Sequence, residues 1–157
     1  MHPKIAWTYS STATMYQKQK LYQQAESAYK LAIEIYEKTL GENHADCAWV
    51  FFKLGELYTQ DNRPLQDRFD MFNEAVRRYD QGKESVNPDF ARSVVGLVNC
   101  QQEQFQNQNK KATLGEMDDM INKLERAIQI FSASKNQDDA EIVAIKQQIQ
   151  ILNTQRA

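Results

Sequence analysis

The chain has 157 residues, which suits one domain, with 41% hydrophobic residues, 25% charged residues and a formal net charge of -2. Only 5 glycines and 3 prolines occur, which disfavours a many-turned β protein and favours helices. The charge balance argues against non-specific nucleic-acid binding, because such binding needs surplus Lys and Arg to displace counterions.

The first predicted helix carries residues at i, i+4, i+7, i+8 and i+11, a spacing that places them on one helix face. The same spacing returns 42 residues later and again 43 residues after that. The three sets are Ile5, Tyr9, Thr12, Ala13, Tyr16; Cys47, Phe51, Leu54, Gly55, Tyr58; and Phe90, Val94, Leu97, Val98, Gln101. We expect these stripes to lie in the core.

A second stripe follows each first helix, with spacing i, i+3, i+7, i+10, i+11 and i+14. Its three copies are Tyr22, Ala25, Tyr29, Ala32, Ile33, Tyr36; Leu65, Arg68, Phe72, Ala75, Val76, Tyr79; and Met117, Met120, Leu124, Ala127, Ile128, Phe131. Small residues such as Ala13, Gly55 and Ala32 stand between bulky neighbours, which lets helix backbones approach closely. The repeating unit is therefore a helix pair, used three times, whose stacking forms one continuous core.

These residues resemble the tetratricopeptide pattern: a large residue, Leu, Gly/Ala and Tyr on the first helix, then Ala, an aromatic and Ala on the second. Repeat two departs from it with Arg68 in place of Ala, and repeat three with Val98 and Gln101. The resemblance implies an all-α fold, a right-handed superhelical array (α-solenoid) of three antiparallel helix pairs plus a C-terminal capping helix.

The period of about 42 residues resembles the longer repeats of kinesin light chains, whose linker reads Leu-Gly-x-x-His-Pro-x-x-Ala. Here the linker is matched by Leu40, Gly41, His44, Ala45 and Ala48, with partial copies at His2–Pro3 and Asn87–Pro88. Because the chain starts within the linker phase with no preceding cap, we expect it to be a segment of a longer array.

The predicted organisation is a single domain over residues 1–157. Repeat 1 covers about 3–40, repeat 2 about 45–81 and repeat 3 about 88–133, and a capping helix covers about 138–155. Repeat 3 contains an insertion near 105–115. Either its helices are longer or it carries a long loop.

Residues with catalytic or metal-binding potential are few. The two histidines and two cysteines match no established site by spacing, and Cys47 falls on the apolar stripe, where a buried thiol is the usual reading. We expect free thiols, no metal, no cofactor and no enzymatic activity. The apolar runs fall short of the ~20 residues that span a bilayer. We therefore expect no membrane partner and a cytoplasmic location.

The side of each first helix away from its stripe carries Trp7 and Trp49 at equivalent positions, 42 residues apart. In the tetratricopeptide family this side lines a concave peptide groove. The resemblance places these residues in it: Trp7, Ser10, Thr14, Trp49, Phe52, Lys53, Glu56, Arg92 and Asn99. The alternative is that the two indoles pack between neighbouring first helices.

The resemblance also implies a function, which is binding a peptide or partner protein in the groove as a non-catalytic scaffold. Of the family's carboxylate-clamp positions, here Ser10, Thr14, Lys53, Arg92 and Gly96, only Arg92 fits, so we expect no clamp for a chaperone C-terminal carboxylate. The alternative function is self-association, with chains stacked end to end as homo-oligomers.

Overall fold

Seven α-helices build the part of the chain that the structure, a computed structural model, describes: residues 2–83, 86–134 and 139–157. Their bounds are α1 Pro3–Lys18, α2 Tyr22–Leu40, α3 Ala45–Gln60, α4 Leu65–Gln81, α5 Pro88–Asn107, α6 Leu114–Ala133 and α7 Asp139–Arg156. Consecutive helices pack as the pairs α1–α2, α3–α4 and α5–α6, and α7 packs on α6. Residue 138, where the capping helix was expected to begin, lies outside the described residues.

Each first helix starts with the same kind of cap. His2 and His44 each accept the backbone N–H two residues ahead through Nδ1, at 3.2 Å, and the Asn87 side chain does the same at 2.9 Å. Such a bond satisfies one of the helix's unpaired N–H donors. The linker histidines of the sequence pattern are therefore helix caps.

The turn inside each helix pair is also repeated. Lys20, Asn62 and Asn109 adopt left-handed backbone conformations, with φ of 61°, 52° and 49°. In each turn the following residue donates its N–H to a carbonyl five residues back, at 2.9, 2.9 and 3.0 Å. This is the hydrogen bonding of a left-handed helix ending. The insertion in repeat 3 is accommodated by both proposed means, because α5 has 20 residues against 16 in α1 and α3, and residues 108–113 form a longer connection.

The chain divides into two compact units, Met1–Glu84 with α1–α4 and Ser85–Ala157 with α5–α7. The core of the first unit is built around Tyr29, Leu54 and Leu57, and that of the second includes Phe90 and Leu124. The alanines at the expected close approaches (Ala13, Ala25, Ala32, Ala75 and Ala127) are fully buried. The single-domain organisation stays a prediction.

The core stripe predicted for α1 was wrong at two of its five residues, while Ala13 is fully buried and Tyr16 packs against the core. Ile5 is 45% exposed and Tyr9 38% exposed, whereas the buried residues of α1 are Ala6, Ser10, Ala13 and Gln17. The corresponding stripes of α3 and α5 are largely buried. The difference has a physical cause, since α3 packs against α2 through this side while no described helix precedes α1.

None of the described helices is both long and apolar enough to cross a membrane.

Candidate functional site

The two tryptophans of the predicted groove differ in exposure. Trp7 on α1 is 65% exposed, whereas Trp49 on α3 is half-buried and packs against the core cluster of the first unit. One indole is therefore presented to solvent and the other has a packed face, and the choice between groove and packing positions stays a prediction.

Ser10 and Thr14, which follow Trp7 on α1, are tied to the interior of the first pair. The buried Ser10 hydroxyl donates to the Trp7 carbonyl at 2.9 Å, and the Thr14 hydroxyl lies 3.0 Å from that of Tyr29. Tyr29 in turn donates to Gln17 at 2.9 Å, and burial raises the pKa of Tyr29 to about 12. Ser10 is closed to a partner in this structure, while Thr14 remains partly accessible.

On α3, Phe52 is buried against Phe72, with ring centroids 6.3 Å apart. The neighbouring Lys53 forms an ion pair with Glu56, and its ammonium lies 5.7 Å from the Phe52 ring centroid. A partly exposed ion pair contributes little stability, on the order of 1 kcal/mol or less. Lys53 and Glu56 can therefore give up this ion pair at little cost and form contacts with a partner instead.

Arg92 and Asn99 on α5 are engaged by α7. Arg92 donates to both carboxylate oxygens of Glu141 at 2.7–3.1 Å and to Asp89 at 2.8 Å. Gln148 donates to Asn99 at 2.9 Å. The bonds to Glu141 and Asp89 raise the pKa of Arg92 above its ordinary value, against the effect of burial. The residue expected to fit a carboxylate from a partner already holds two from its own chain.

The nine predicted groove residues fall in both units. Trp7, Ser10, Thr14, Trp49, Phe52, Lys53 and Glu56 belong to the first, and Arg92 and Asn99 to the second. The structure brings α1 and α3 together directly, because Gln17 donates to Gln60 at 3.0 Å. A single groove through all nine residues stays a prediction.

Sequence reasoning missed a buried arginine in the last turn of α4. Arg78 on α4 is 5% exposed and forms ion pairs with Glu37 and Glu74, each at 2.7 Å. It also donates to the Glu42 carbonyl and to the Cys47 sulfur, each at 2.9 Å. Although burial favours the neutral form, the bonds to Glu74 and Glu37 hold the pKa of Arg78 above its ordinary value. Its position directly before the stripe residue Tyr79 was the signal available in the sequence.

A second cluster that was missed joins the two pairs of the first unit. Glu26 on α2 accepts the Tyr58 hydroxyl at 2.8 Å, Arg63 at 3.0 Å and Lys30 at 2.6 Å. Burial of Glu26 acts to raise its pKa, but these three partners outweigh it and the pKa is lowered. The carboxylate therefore stays ionised and bridges α2 to α3.

Metal-binding and thiol chemistry find little support in the described ranges. No group of three or more His, Cys, Asp or Glu there could hold a metal ion. Cys47 and Cys100 are buried, and burial, partly opposed by Arg78, raises the pKa of the Cys47 thiol to about 11. His44 serves as the N-terminal cap of α3.

Comparison with known proteins agrees with this architecture. Residues 4–81 match the family model of the tetratricopeptide repeat. The fold is similar to the crystal structure of BtubC (BKLC) from P. vanneervenii, with a TM-score of 0.75, 16% sequence identity and 99% of this chain covered. The chain spans 58% of the length of that protein, and at such low identity the likeness shows the fold alone. No curated protein sequence gives a significant match.

The family match covers the two helix pairs that hold Trp7, Trp49 and the buried Arg78. The first helices begin at Pro3, Ala45 and Pro88, which is the long spacing expected from the linker pattern. Together with the fold similarity over nearly the whole chain, these findings confirm the resemblance inferred from the sequence. Residues 4–81, which form the first two helix pairs, belong to the tetratricopeptide repeat family.

Proposed function

We propose that this chain is a non-catalytic scaffold that binds a peptide or partner protein along the groove side of its first helices. Tetratricopeptide repeats are in general protein-interaction modules, which gives the broad class. The observation that carries the finer proposal is the indole of Trp7, which is 65% exposed at the position that Trp49 occupies in the next repeat. Tryptophan is among the residues that most often dominate binding energy at protein interfaces.

The groups around the indoles suit recognition of a mixed apolar and polar segment. Burying Trp7 would supply the affinity, at roughly 25 cal/mol per Å² of apolar surface. Thr14 offers a hydroxyl, and the Lys53–Glu56 pair offers both signs of charge close to Trp49. Polar groups of this kind set register more than affinity.

The experiment compares the partners captured by the intact chain with those captured by Trp7→Ala and Trp49→Ala, identified by mass spectrometry. A captured partner is then titrated while tryptophan emission is recorded. We expect at least about tenfold weaker binding for Trp7→Ala, the usual size of an interface anchor. Leu31→Ala on α2 is the matched control, because Leu31 is also an exposed large apolar residue. Unchanged binding by both tryptophan variants would remove the groove assignment.

Self-association is the second candidate function, and the exposure of Ile5 and Tyr9 on α1 favours it. Exposed apolar side chains on the side of a helix that stacks in the other repeats are a route to association between copies. Light scattering at several protein concentrations tests it: the mass rises with concentration if chains stack, and stays at that of one chain if they do not.

A further inference from the structure

A buried glutamine ends a row of small buried residues on α1. The row consists of Ala6, Ser10, Ala13 and Gln17, and the Gln17 side chain is only 7% exposed. Burying an amide costs free energy unless its donor and its acceptor are both paired, and an apolar side chain would fill the same space at lower cost. The presence of the amide therefore calls for a reason other than packing.

Both ends of the Gln17 amide are paired, and they face different helices. Its Oε1 accepts the Tyr29 hydroxyl of α2 at 2.9 Å, and its Nε2 donates to Oε1 of Gln60 on α3 at 3.0 Å. Tyr29 is fully buried, and its hydroxyl also lies 3.0 Å from that of Thr14, three residues before Gln17 on α1. The buried tyrosine thus holds the Gln17 side chain and directs its Nε2 toward α3.

We call the hydrogen bond between Gln17 and Gln60 the amide bridge of the first unit. Gln60 follows Lys53 by seven residues, about two turns at 3.6 residues per turn, and so lies on the same face of α3. The bridge therefore joins α1 and α3 on the side of the predicted groove. The close packing between the two helix pairs is made elsewhere, by α2 against α3.

The internal repeat supports a role for this position. Gln102 on α5 holds the position of Gln17, and it accepts a hydrogen bond from Gln148 on α7. The copy between them is Thr59 on α3, whose hydroxyl donates to a carbonyl of its own helix at 2.8 Å. In each unit, a glutamine at this position thus reaches from one first helix toward a helix of the following pair or cap.

The amide bridge is weaker than the contact between α2 and α3. Gln60 is exposed, and a hydrogen bond between neutral groups that water can reach contributes little net free energy. The packing of α2 on α3 includes the buried Tyr58, whose hydroxyl donates to Glu26 at 2.8 Å. The bridge can therefore open while α2 and α3 stay packed, which makes the separation of α1 and α3 the softer coordinate.

We propose that Gln17 is a positioning residue that sets the separation of α1 and α3 on the groove side through the amide bridge, with Tyr29 fixing its orientation. Opening the bridge moves Trp7 relative to Lys53 and Glu56 without unfolding either helix pair. The consequence for partner binding rests on the proposed function, whereas the control of the separation does not.

The test measures the distance between α1 and α3 in the full chain by pulsed electron paramagnetic resonance. Spin labels are attached at Lys18→Cys and Thr59→Cys, because both positions are exposed near the ends of their helices, while Cys47 and Cys100 are buried. The parent chain with these two labels should give a narrow distance distribution, since the bridge holds one arrangement.

Gln60→Met, which removes the acceptor and keeps the length of the side chain, should widen this distribution. The expected increase in the open arrangement is about fivefold, the effect of one lost hydrogen bond. Gln17→Met should act in the same direction. Gln24→Met on α2 is the matched control, because Gln24 is also an exposed glutamine, and it should leave the distribution unchanged.

Two further variants separate positioning from stability. Gln60→Met should leave the urea midpoint close to that of the parent chain, because substitutions at exposed positions have small effects on folding. Tyr29→Phe keeps the buried ring but removes the hydroxyl that orients Gln17, and it should widen the distance distribution as well. A purely structural role of the glutamine would lower the urea midpoint without changing the distance.

An unchanged distance distribution in both Gln17→Met and Gln60→Met would overturn the proposal, and so would a widening that Gln24→Met reproduces. For a partner captured by the intact chain, Gln60→Met should weaken binding by up to about fivefold. The distance measurement needs no partner. If the tryptophan variants removed the groove assignment, the result on the amide bridge would stand, so failure of one proposal is distinguishable from failure of the other.

Discussion

Gly55 shows how a single residue sets the approach of two helices. A Cβ built at this position on α3 would come within 2.7 Å of the buried Phe72 ring on α4. Because protein interiors are close-packed, the ring has no space into which to retreat. Glycine is therefore required by packing here, although alanine forms helices more readily.

Gly55→Ala is predicted to destabilise the protein by about 1–2 kcal/mol, since the overpacking cost exceeds the gain in helix propensity. Urea unfolding measures the change. Gly115→Ala on α6 is the matched control, because a Cβ there meets nothing within 4 Å. We expect it to be neutral or to stabilise by up to about 1 kcal/mol. Equal effects of the two substitutions would contradict the packing account.

Arg78→Met should cost about 3 kcal/mol, because it leaves Glu37 and Glu74 without their shared buried partner. The comparison is Arg77→Ala, which removes an exposed cation that also pairs with Glu74 and should cost less than about 1 kcal/mol. Thermal and urea unfolding of both variants provide the measurement. If Arg78→Met were as stable as the parent chain, the ion pairs of Arg78 would make no net contribution to stability.

The ion pairs of Glu74 in the same cluster predict that the free energy of unfolding depends on pH. The bonds from Arg77 and Arg78 lower the pKa of Glu74 to about 2, although burial opposes them. A depressed carboxyl pKa means that the folded state binds fewer protons, so its stabilisation is present above the ordinary pKa of 4.5. It is lost as the pH falls from there toward 2.

The difference in unfolding free energy between the parent chain and Glu74→Gln should therefore be largest near pH 6 and shrink below pH 4.5. Urea titrations across this range test it, with Glu34→Gln as the exposed comparison on α2. If the difference in unfolding free energy instead grew as the pH fell, the lowered pKa of Glu74 would be contradicted.

At the scale of elements, α7 takes the place of another first helix. It packs on α6 as α3 packs on α2, and its Glu141 and Gln148 meet Arg92 and Asn99 with the same seven-residue spacing on both helices. Two of its side chains, Ile145 and Leu152, are buried. Two buried apolar side chains and the polar contacts of Glu141 and Gln148 therefore hold α7 in place.

Glu141→Ala should loosen α7 by up to about 1 kcal/mol, the range of a partly exposed ion pair, which corresponds to about fivefold faster amide exchange. Leu152→Ala should act more strongly, by about 2–4 kcal/mol, because it opens a cavity. Hydrogen exchange followed by mass spectrometry resolves both, with α1–α4 as the internal reference. Exchange in α7 that ignores both substitutions would contradict this account of its docking.

At the scale of the whole molecule, the two buried thiols report on global unfolding. Cys47 lies in the first unit and Cys100 in the second, and the raised pKa of Cys47 keeps it protonated near neutral pH. We expect both to react slowly with a thiol reagent in the folded protein and to become reactive at the urea midpoint. Cys100→Ser isolates the signal of Cys47. Fast reaction of Cys47 in native buffer would show that its site opens locally.

The helix pairs were predictable from the sequence because small and large side chains recur at a fixed period. Alanines recur where backbones approach, and the linker histidines and asparagine recur at each helix start. These are local properties, so a stripe and a cap are visible without knowing what packs against them. The candidate surface was less visible, because Trp7 and Trp49 hold equivalent positions and yet differ in burial.

The sequence by itself therefore determined the number, spacing and pairing of the helices, and with them the type of repeat in residues 4–81. Tertiary structure alone decided which copy of a repeated position is covered, because coverage depends on the neighbouring helices: Cys47 is buried in the core of the first unit, while Ile5 is exposed. It also decided the ionic partners, as for Arg78 with Glu37 and Arg92 with Glu141. Such pairs join residues 41 and 49 positions apart, and only folding brings their charges within hydrogen-bond distance.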